Sequence, residues 1–260
     1  MTTLWTTLRD VLMLRTQAFL AFRDDPDGLR RGVTWLMVIT LIAGALTFVV
    51  DLTQSLQPLE TRLADVERGV EEAFAQIERF LPPGQMPPGF REQFRSNFRA
   101  GLQIGAEVEA LPTLLPKPLG VLFEAMGSWL SRPFARLGGW LGYALWVMLA
   151  ARLLGGTGGL RGFLATTSLY AIPQLLAFFN PVPCLGALLN LVAAVWGWAI
   201  YVKATAVAHG WVSLIETSEG ATIEYTDWGR AIVAVLLPLL VAGMLALLVV
   251  VVLILVAVLS

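Results

Sequence analysis

Few residues in this chain could do chemistry. His209 is the sole histidine and Cys184 the sole cysteine, so neither a Cys/His zinc cluster nor a disulfide can form within one chain. His209, Ser213 and Asp227 are the only elements of a nucleophile–base–acid set, and on a helix His209 and Ser213 would be neighbours. Nothing around them supplies a strained nucleophile or an oxyanion hole, so catalysis is not expected there. The turn Gly155-Gly-Thr-Gly-Gly-Leu-Arg-Gly162 has the glycines to cradle a phosphate. It lacks the Gly-Lys-Ser/Thr ending and the preceding strand of a nucleotide loop. It reads as a flexible connector, or as a lipid-headgroup contact through Arg152, Arg161 and open amides. Glu216, Glu219, Glu224 and Asp227 read as a solvated acidic loop. No cofactor or metal site is expected.

The elements that would carry these residues are set by the solvent. Of 260 residues, 57% are hydrophobic and 14% charged, against about 45–50% and about 25% in soluble proteins. With a mean hydropathy of +0.71, this excludes an ordinary soluble enzyme and a disordered chain. The net charge of −1 offers no basic field for nucleic acid. Five segments approach the ~20 apolar residues that cross a bilayer: 32–50, 133–154, 162–180, 184–202 and 231–259. The last holds 29 residues without a charge, too few for two crossings, so it reads as one long tilted helix. Residues 1–31 form a cytoplasmic amphipathic segment, and the first span reads as an uncleaved signal anchor. Arg9, Arg15, Arg23, Arg30 and Arg31 flank one side of the membrane, with Arg152, Arg161, Lys203 and Arg230. That bias places the N-terminus in the cytoplasm and the C-terminus outside.

Residues 51–132 form an extracytoplasmic insertion with 8 basic and 11 acidic residues. Leu56, Leu59, Leu63, Val66, Val70, Ala73, Ile77 and Phe80 recur at three and four, the pattern of a helical seam. The proline-rich stretch Leu81–Gly89 must end that helix. Phe90, Phe94, Phe98 and Leu102 then mark one face of a second. The two stripes either bury each other in a hairpin, or one of them docks a protein partner or a second copy. Residues 119–130 suit a helix lying on the bilayer surface.

Residues 133–259 make up a four-span membrane domain with no ionisable group in the span interiors. Thr166, Thr167, Ser168, Tyr170, Gln174 and Asn190 are the polar residues left. Gln174 and Asn190 lie equally far from the turn near Val182, which predicts that they face each other or a common cavity. Gly138 and Gly142 are a small-xxx-small pair for packing within the bundle or for dimerisation. Pro173 and Pro238 should kink their spans.

The run Leu153–Leu164, with Leu169-Tyr-Ala-Ile-Pro173, Ala208-His-Gly210 and Gly229–Pro238, resembles the Ypt-interacting-protein (Yip) domain family. The resemblance covers residues 130–258 and, loosely, the first span. It implies an all-α five-helix membrane bundle with termini on opposite sides. The Asp-Leu-x-Gly-Pro motif of the eukaryotic, Rab-binding members is absent. The 16 arginines against two lysines suggest a GC-rich genome and thus a bacterial inner-membrane member. The expectation is a non-enzymatic scaffold or accessory subunit. Its partners would be membrane lipids and a protein partner or homo-oligomer, with no nucleic acid. The alternative is a transporter or lipid-handling protein with a cavity among spans three to five, near Tyr170, Pro173, Gln174, Asn190 and Pro238.

Overall fold

The structure is a computed structural model that describes residues 4–57, 59–80, 89–109, 116–216 and 222–259. It is all-α apart from one two-stranded hairpin. The helices are α1 (Leu4–Leu12), α2 (Thr16–Asp24), α3 (Gly28–Ser55), α4 (Leu59–Phe80), α5 (Phe90–Glu109), α6 (Lys117–Leu153), α7 (Leu160–Thr167), α8 (Leu185–Ala208) and α9 (Trp228–Leu259). A 3-10 helix, Ser168–Phe179, continues α7, and strands β1 (Val212–Glu216) and β2 (Thr222–Thr226) pair antiparallel between α8 and α9. Among the described residues five helical stretches are long and apolar enough to cross a membrane: α3, α6, α7 with the 3-10 helix, α8 and α9. The chain is a multi-pass membrane protein. It divides into two compact units, residues 1–47 with 128–260, and residues 48–127.

In the first unit α1 and α2 bury Val11, Phe19 and Phe22. Phe22 meets Trp35 of α3 edge-on, with ring centroids 5.8 Å apart. Gly28 and Gly32 let α3 lie close: a Cβ at Gly28 would strike the Phe22 carbonyl, and one at Gly32 the Ser168 hydroxyl. The Thr167 and Ser168 hydroxyls donate back to the carbonyls of Phe163 and Ala165, both at 2.8 Å. Such back-bonding competes with the α ladder, and Pro173 removes a further donor. Together they account for the change from α to 3-10 geometry at Ser168. The turn into α8 is equally tight, since a Cβ at Gly186 would run into the carbonyls of Phe179 and Asn180.

Three boundaries differ from the sequence reading. Residues 119–130 are not a separate surface helix: α6 runs unbroken from Lys117 to Leu153 with the buried Pro133 inside it. The fourth span extends past residue 202 to Ala208, so Lys203 lies within α8. The supposed acidic loop is the β-hairpin, with Glu224 opposite Leu214; Glu219 lies outside the described residues. The single long fifth helix is present as α9. Ala231, Ala234 and Val235 are fully buried, while every residue from Leu239 to Val256 is exposed within the chain, as suits a lipid-facing span.

In the second unit α4 and α5 pair through Phe74, which is buried between Phe90 at 6.5 Å and Phe94 at 5.2 Å. Phe98 stacks on Phe94 at 5.9 Å. Arg91, Arg95 and Arg99 recur every fourth residue and so share one face. Arg91 pairs with Glu71 at 2.7 Å, Arg95 pairs with the same carboxylate, and Arg99 meets Glu67 at 2.8 Å. The hydrogen bond from Arg91, helped by Arg95, holds the Glu71 carboxyl below the usual range. These contacts turn α4 away from the expected seam. Val70 is half-buried, but Val66, Ala73 and Ile77 are exposed. The side chains of Leu59 and Leu63, and the proline-rich residues 81–88, lie outside the described residues.

Candidate functional site

Helical spacing puts Arg136, Gly139, Trp140 and Tyr143 on one face of α6, and Ala194, Gly197, Trp198 and Tyr201 on one face of α8. With Tyr170 and Gln174 of the 3-10 helix they line a cavity of about 410 Å³. Gly139 leaves it open, since an added Cβ there meets nothing within 4 Å, whereas Gly197 lets α8 approach the 3-10 helix, where a Cβ would lie 3.1 Å from the Tyr170 carbonyl. Tyr143, Tyr170 and Tyr201 form one aromatic wall, their rings 5.5 and 5.8 Å from Tyr201. The Arg136 Nε–H donates to the Tyr170 hydroxyl at 3.1 Å, and the guanidinium carbon lies 5.6 Å from that ring's centre. The Gln174 amide donates to the Ala193 carbonyl at 3.3 Å. The Tyr143 hydroxyl donates to the Val235 carbonyl at 2.5 Å, tying α6 to α9. Arg136 is the one charged residue in the lining. A cavity with aromatic walls, one cation and one amide suits an amphiphile; it presents no nucleophile beside a base.

A second polar cluster surrounds the last turns of α8, where Ile200 to His209 are all buried. The Lys203 ammonium, 2% exposed, pairs with the Glu224 carboxylate, donates to the Thr226 hydroxyl at 2.7 Å and faces the Trp228 ring at 5.3 Å. Burial pushes the Glu224 carboxyl up, but Lys203 and the neighbouring hydroxyls outweigh it and hold it below the usual carboxylate range. Beyond Lys203, the Gly158 N–H donates to His209 Nδ1 at 3.3 Å. Burial, helped by the Arg152 charge, pushes the His209 imidazole down to about 4. Cβ atoms at Gly156 and Gly158 would strike the His209 ring and the Ala208 carbonyl. The Gly155–Gly162 turn is thus fitted closely against the end of α8 at Gly156 and Gly158, while Gly155, Thr157, Gly159, Leu160 and Arg161 are exposed. Arg23 of α2 closes the cluster by donating to the Val207 carbonyl at 3.1 Å.

These placements correct several expectations. Gln174 and Tyr170 reach a cavity, but Asn190 is exposed on α8 and does not meet Gln174. The six residues from Gln174 to Phe179 take up the tighter 3-10 geometry, which spoils a register counted on two α-helices. Pro173 is buried and Pro238 half-buried, and neither lines the cavity, which lies among spans two, three and four and not three to five. Among the described residues Gly138 and Gly142 pack against no other helix, because an added Cβ at either meets nothing within 4 Å. The glycine pair that does pack is Gly28–Gly32. His209, Ser213 and Asp227 do not assemble: His209 serves Gly158, Ser213 is exposed on β1, and Asp227 accepts the Arg230 N–H at 3.1 Å at the start of α9.

Sequence reasoning passed over Arg136, Lys203 and Glu224 as site residues. The alternation Thr222-Ile-Glu-Tyr-Thr226 signals a strand that would carry Glu224. The small residues Ala204, Ala206 and Ala208 beside Lys203 signal a helix enclosed on several sides. The chain matches no protein-family model, no curated protein and no solved structure. The Yip resemblance therefore rests on its motifs alone.

Proposed function

We propose that this chain is a non-enzymatic lipid-handling protein that takes a membrane amphiphile into the cavity between α6, the 3-10 helix and α8. The reading keeps the five-span, Yip-like architecture and the bacterial inner membrane. The arginine bias supports a cytoplasmic N-terminus and an external C-terminus. The observation that carries it is the aromatic-walled cavity of about 410 Å³ with a single cation in its lining, inside the range of ligand pockets, about 300–1,000 Å³. In the external hairpin Phe74 meets Phe90 and Phe94 within the same chain, yet Phe90, Phe94, Val66 and Ile77 stay exposed, so that face remains the second candidate, as a protein-docking surface.

The test is photolabelling by a diazirine-bearing phospholipid in nanodiscs. Gly139→Phe fills the cavity from a position with open space around it; Gly142→Phe is the control, since Gly142 is open but outside the lining. Labelling of α6 and α8 peptides should fall several-fold in Gly139→Phe and stay level in Gly142→Phe. Equal labelling in both variants and the parent protein would overturn the proposal.

A further inference from the structure

Arg136 differs from most other arginines of its unit. Arg15, Arg23, Arg30, Arg31 and Arg230 each pair with an aspartate at 2.8–3.6 Å. Among the described residues no carboxylate pairs with Arg136, and no acidic side chain lines the cavity beside it. A guanidinium carries five N–H donors. Here Nε–H is spent on the Tyr170 hydroxyl at 3.1 Å, which leaves the four Nη hydrogens for something else. That bond and the ring contact at 5.6 Å fix the side chain, so little ordering remains to be done when an anion arrives. In α6 Arg136 directly precedes the uncharged run 137–151. Arginine at such a position carries its charge to the headgroup layer, while Trp140, Trp198 and Tyr201 continue the cavity from there along apolar wall.

We infer that Arg136 makes this cavity selective for anionic phospholipids, the phosphate lying on its free Nη hydrogens and an acyl chain along the aromatic wall. The inference rests on the cavity being the ligand site. A paired guanidinium–phosphate contact is a charge-assisted bond that recognises the oxygens two at a time, and near lipid an unneutralised cation favours whatever anion can reach it. A zwitterionic lipid brings its own cation to the same place and gains less.

Native mass spectrometry of the full chain, with phosphatidylglycerol or phosphatidylcholine added to detergent micelles, tests this. The parent protein should favour phosphatidylglycerol by roughly tenfold, the effect of one charge-assisted bond of about 1.5–3 kcal/mol at its lower end. Arg136→Gln should bring the ratio near one, while Arg136→Lys should keep part of it. Gln still offers Tyr170 a donor, and an unchanged unfolding temperature shows that the variant folds. Equal binding of both lipids by the parent protein, with both lost in Gly139→Phe, would overturn the charge selectivity and leave the cavity reading intact. Binding of both lipids untouched by Gly139→Phe would overturn the cavity reading and this inference together. Inorganic phosphate or glycerol 3-phosphate that displaces phosphatidylglycerol at millimolar concentration would assign the site to a soluble phosphate and overturn the lipid.

Discussion

The two polar clusters of the membrane unit are built from similar parts to opposite ends. Around Lys203 the charge is met by Glu224, Thr226 and Trp228, and glycines bring backbone against side chain at Gly156 and Gly158. Around Arg136, among the described residues, the charge meets the Tyr170 hydroxyl and the face of that ring, and the glycine beside it, Gly139, opens space that no described side chain fills. A buried cation whose needs are all met from within is holding the fold. One whose donors are left over, at the mouth of a cavity, is available to a ligand. The difference lies in the surroundings, since Arg136 and Lys203 each face one aromatic ring, Tyr170 and Trp228.

The largest effect should come from stranding Lys203. Glu224→Gln leaves an ammonium that is 2% exposed without its counter-ion, and breaking a buried pair in this way costs about 3–5 kcal/mol. Lys203→Met strands a carboxylate that is 35% exposed and can rehydrate, so it should cost less. The double variant should lie within about 1 kcal/mol of Lys203→Met alone, because no buried charge is then left without a partner. Unfolding in mixed micelles measures the cycle. A Glu224→Gln variant as stable as the parent would erase the distinction between the two clusters.

Histidine 209 gives a second, somewhat smaller effect. Its imidazole takes a proton near 6.5 when unfolded but only at about 4 in the fold. Between those values the unfolded chain binds more protons, so stability falls as pH falls through that window. A difference of this size amounts to about 3 kcal/mol at about 1.4 kcal/mol per pH unit. The contribution of Glu224 runs the same way but is lost only below its unfolded value of 4.5. His209→Asn keeps an acceptor for Gly158 and removes the titration, so its stability should be level from pH 6.5 to 4.5. An equally steep loss in that variant would place the pH response elsewhere.

The sequence shows why one cluster was harder to read than the other. The five spans were legible because membrane solvent leaves few ways to place a run such as 231–259. Gln174 and Tyr170 were legible as polar residues in an apolar context. Lys203 was not, since a lysine at the end of a span normally reaches for the headgroups, and its acid lies 21 residues on across a hairpin. Arg136, near the start of the span 133–154, falls under the same rule, since an arginine there reaches the headgroups by default. In the other unit Val66, Ala73 and Ile77 of the seam lie exposed and do not face α5. Apolar spacing favoured Val66 and Ile77, whereas Phe74 and the Glu67–Glu71 pair decided which face meets α5.

Glycine spacing is the sharpest case of the same lesson and supplies the smallest predicted effects. Gly28–Gly32 and Gly138–Gly142 have identical separation. At Gly32 a Cβ would strike the Ser168 hydroxyl and lie 3.2 Å from the Ala165 carbonyl; at Gly142 it would meet nothing within 4 Å. Gly32→Ala should therefore cost about 1–3 kcal/mol through overpacking. Gly142→Ala should gain about 0.5–1 kcal/mol, because alanine restricts the unfolded chain and nothing opposes it in the helix. Both are read from the same micelle unfolding curves. Should Gly142→Ala instead lose stability, and lose more on dilution, then a second copy of the chain covers that face. The open side of α6 would then be an interface, and the contrast between filled and unfilled glycines would hold only within one chain.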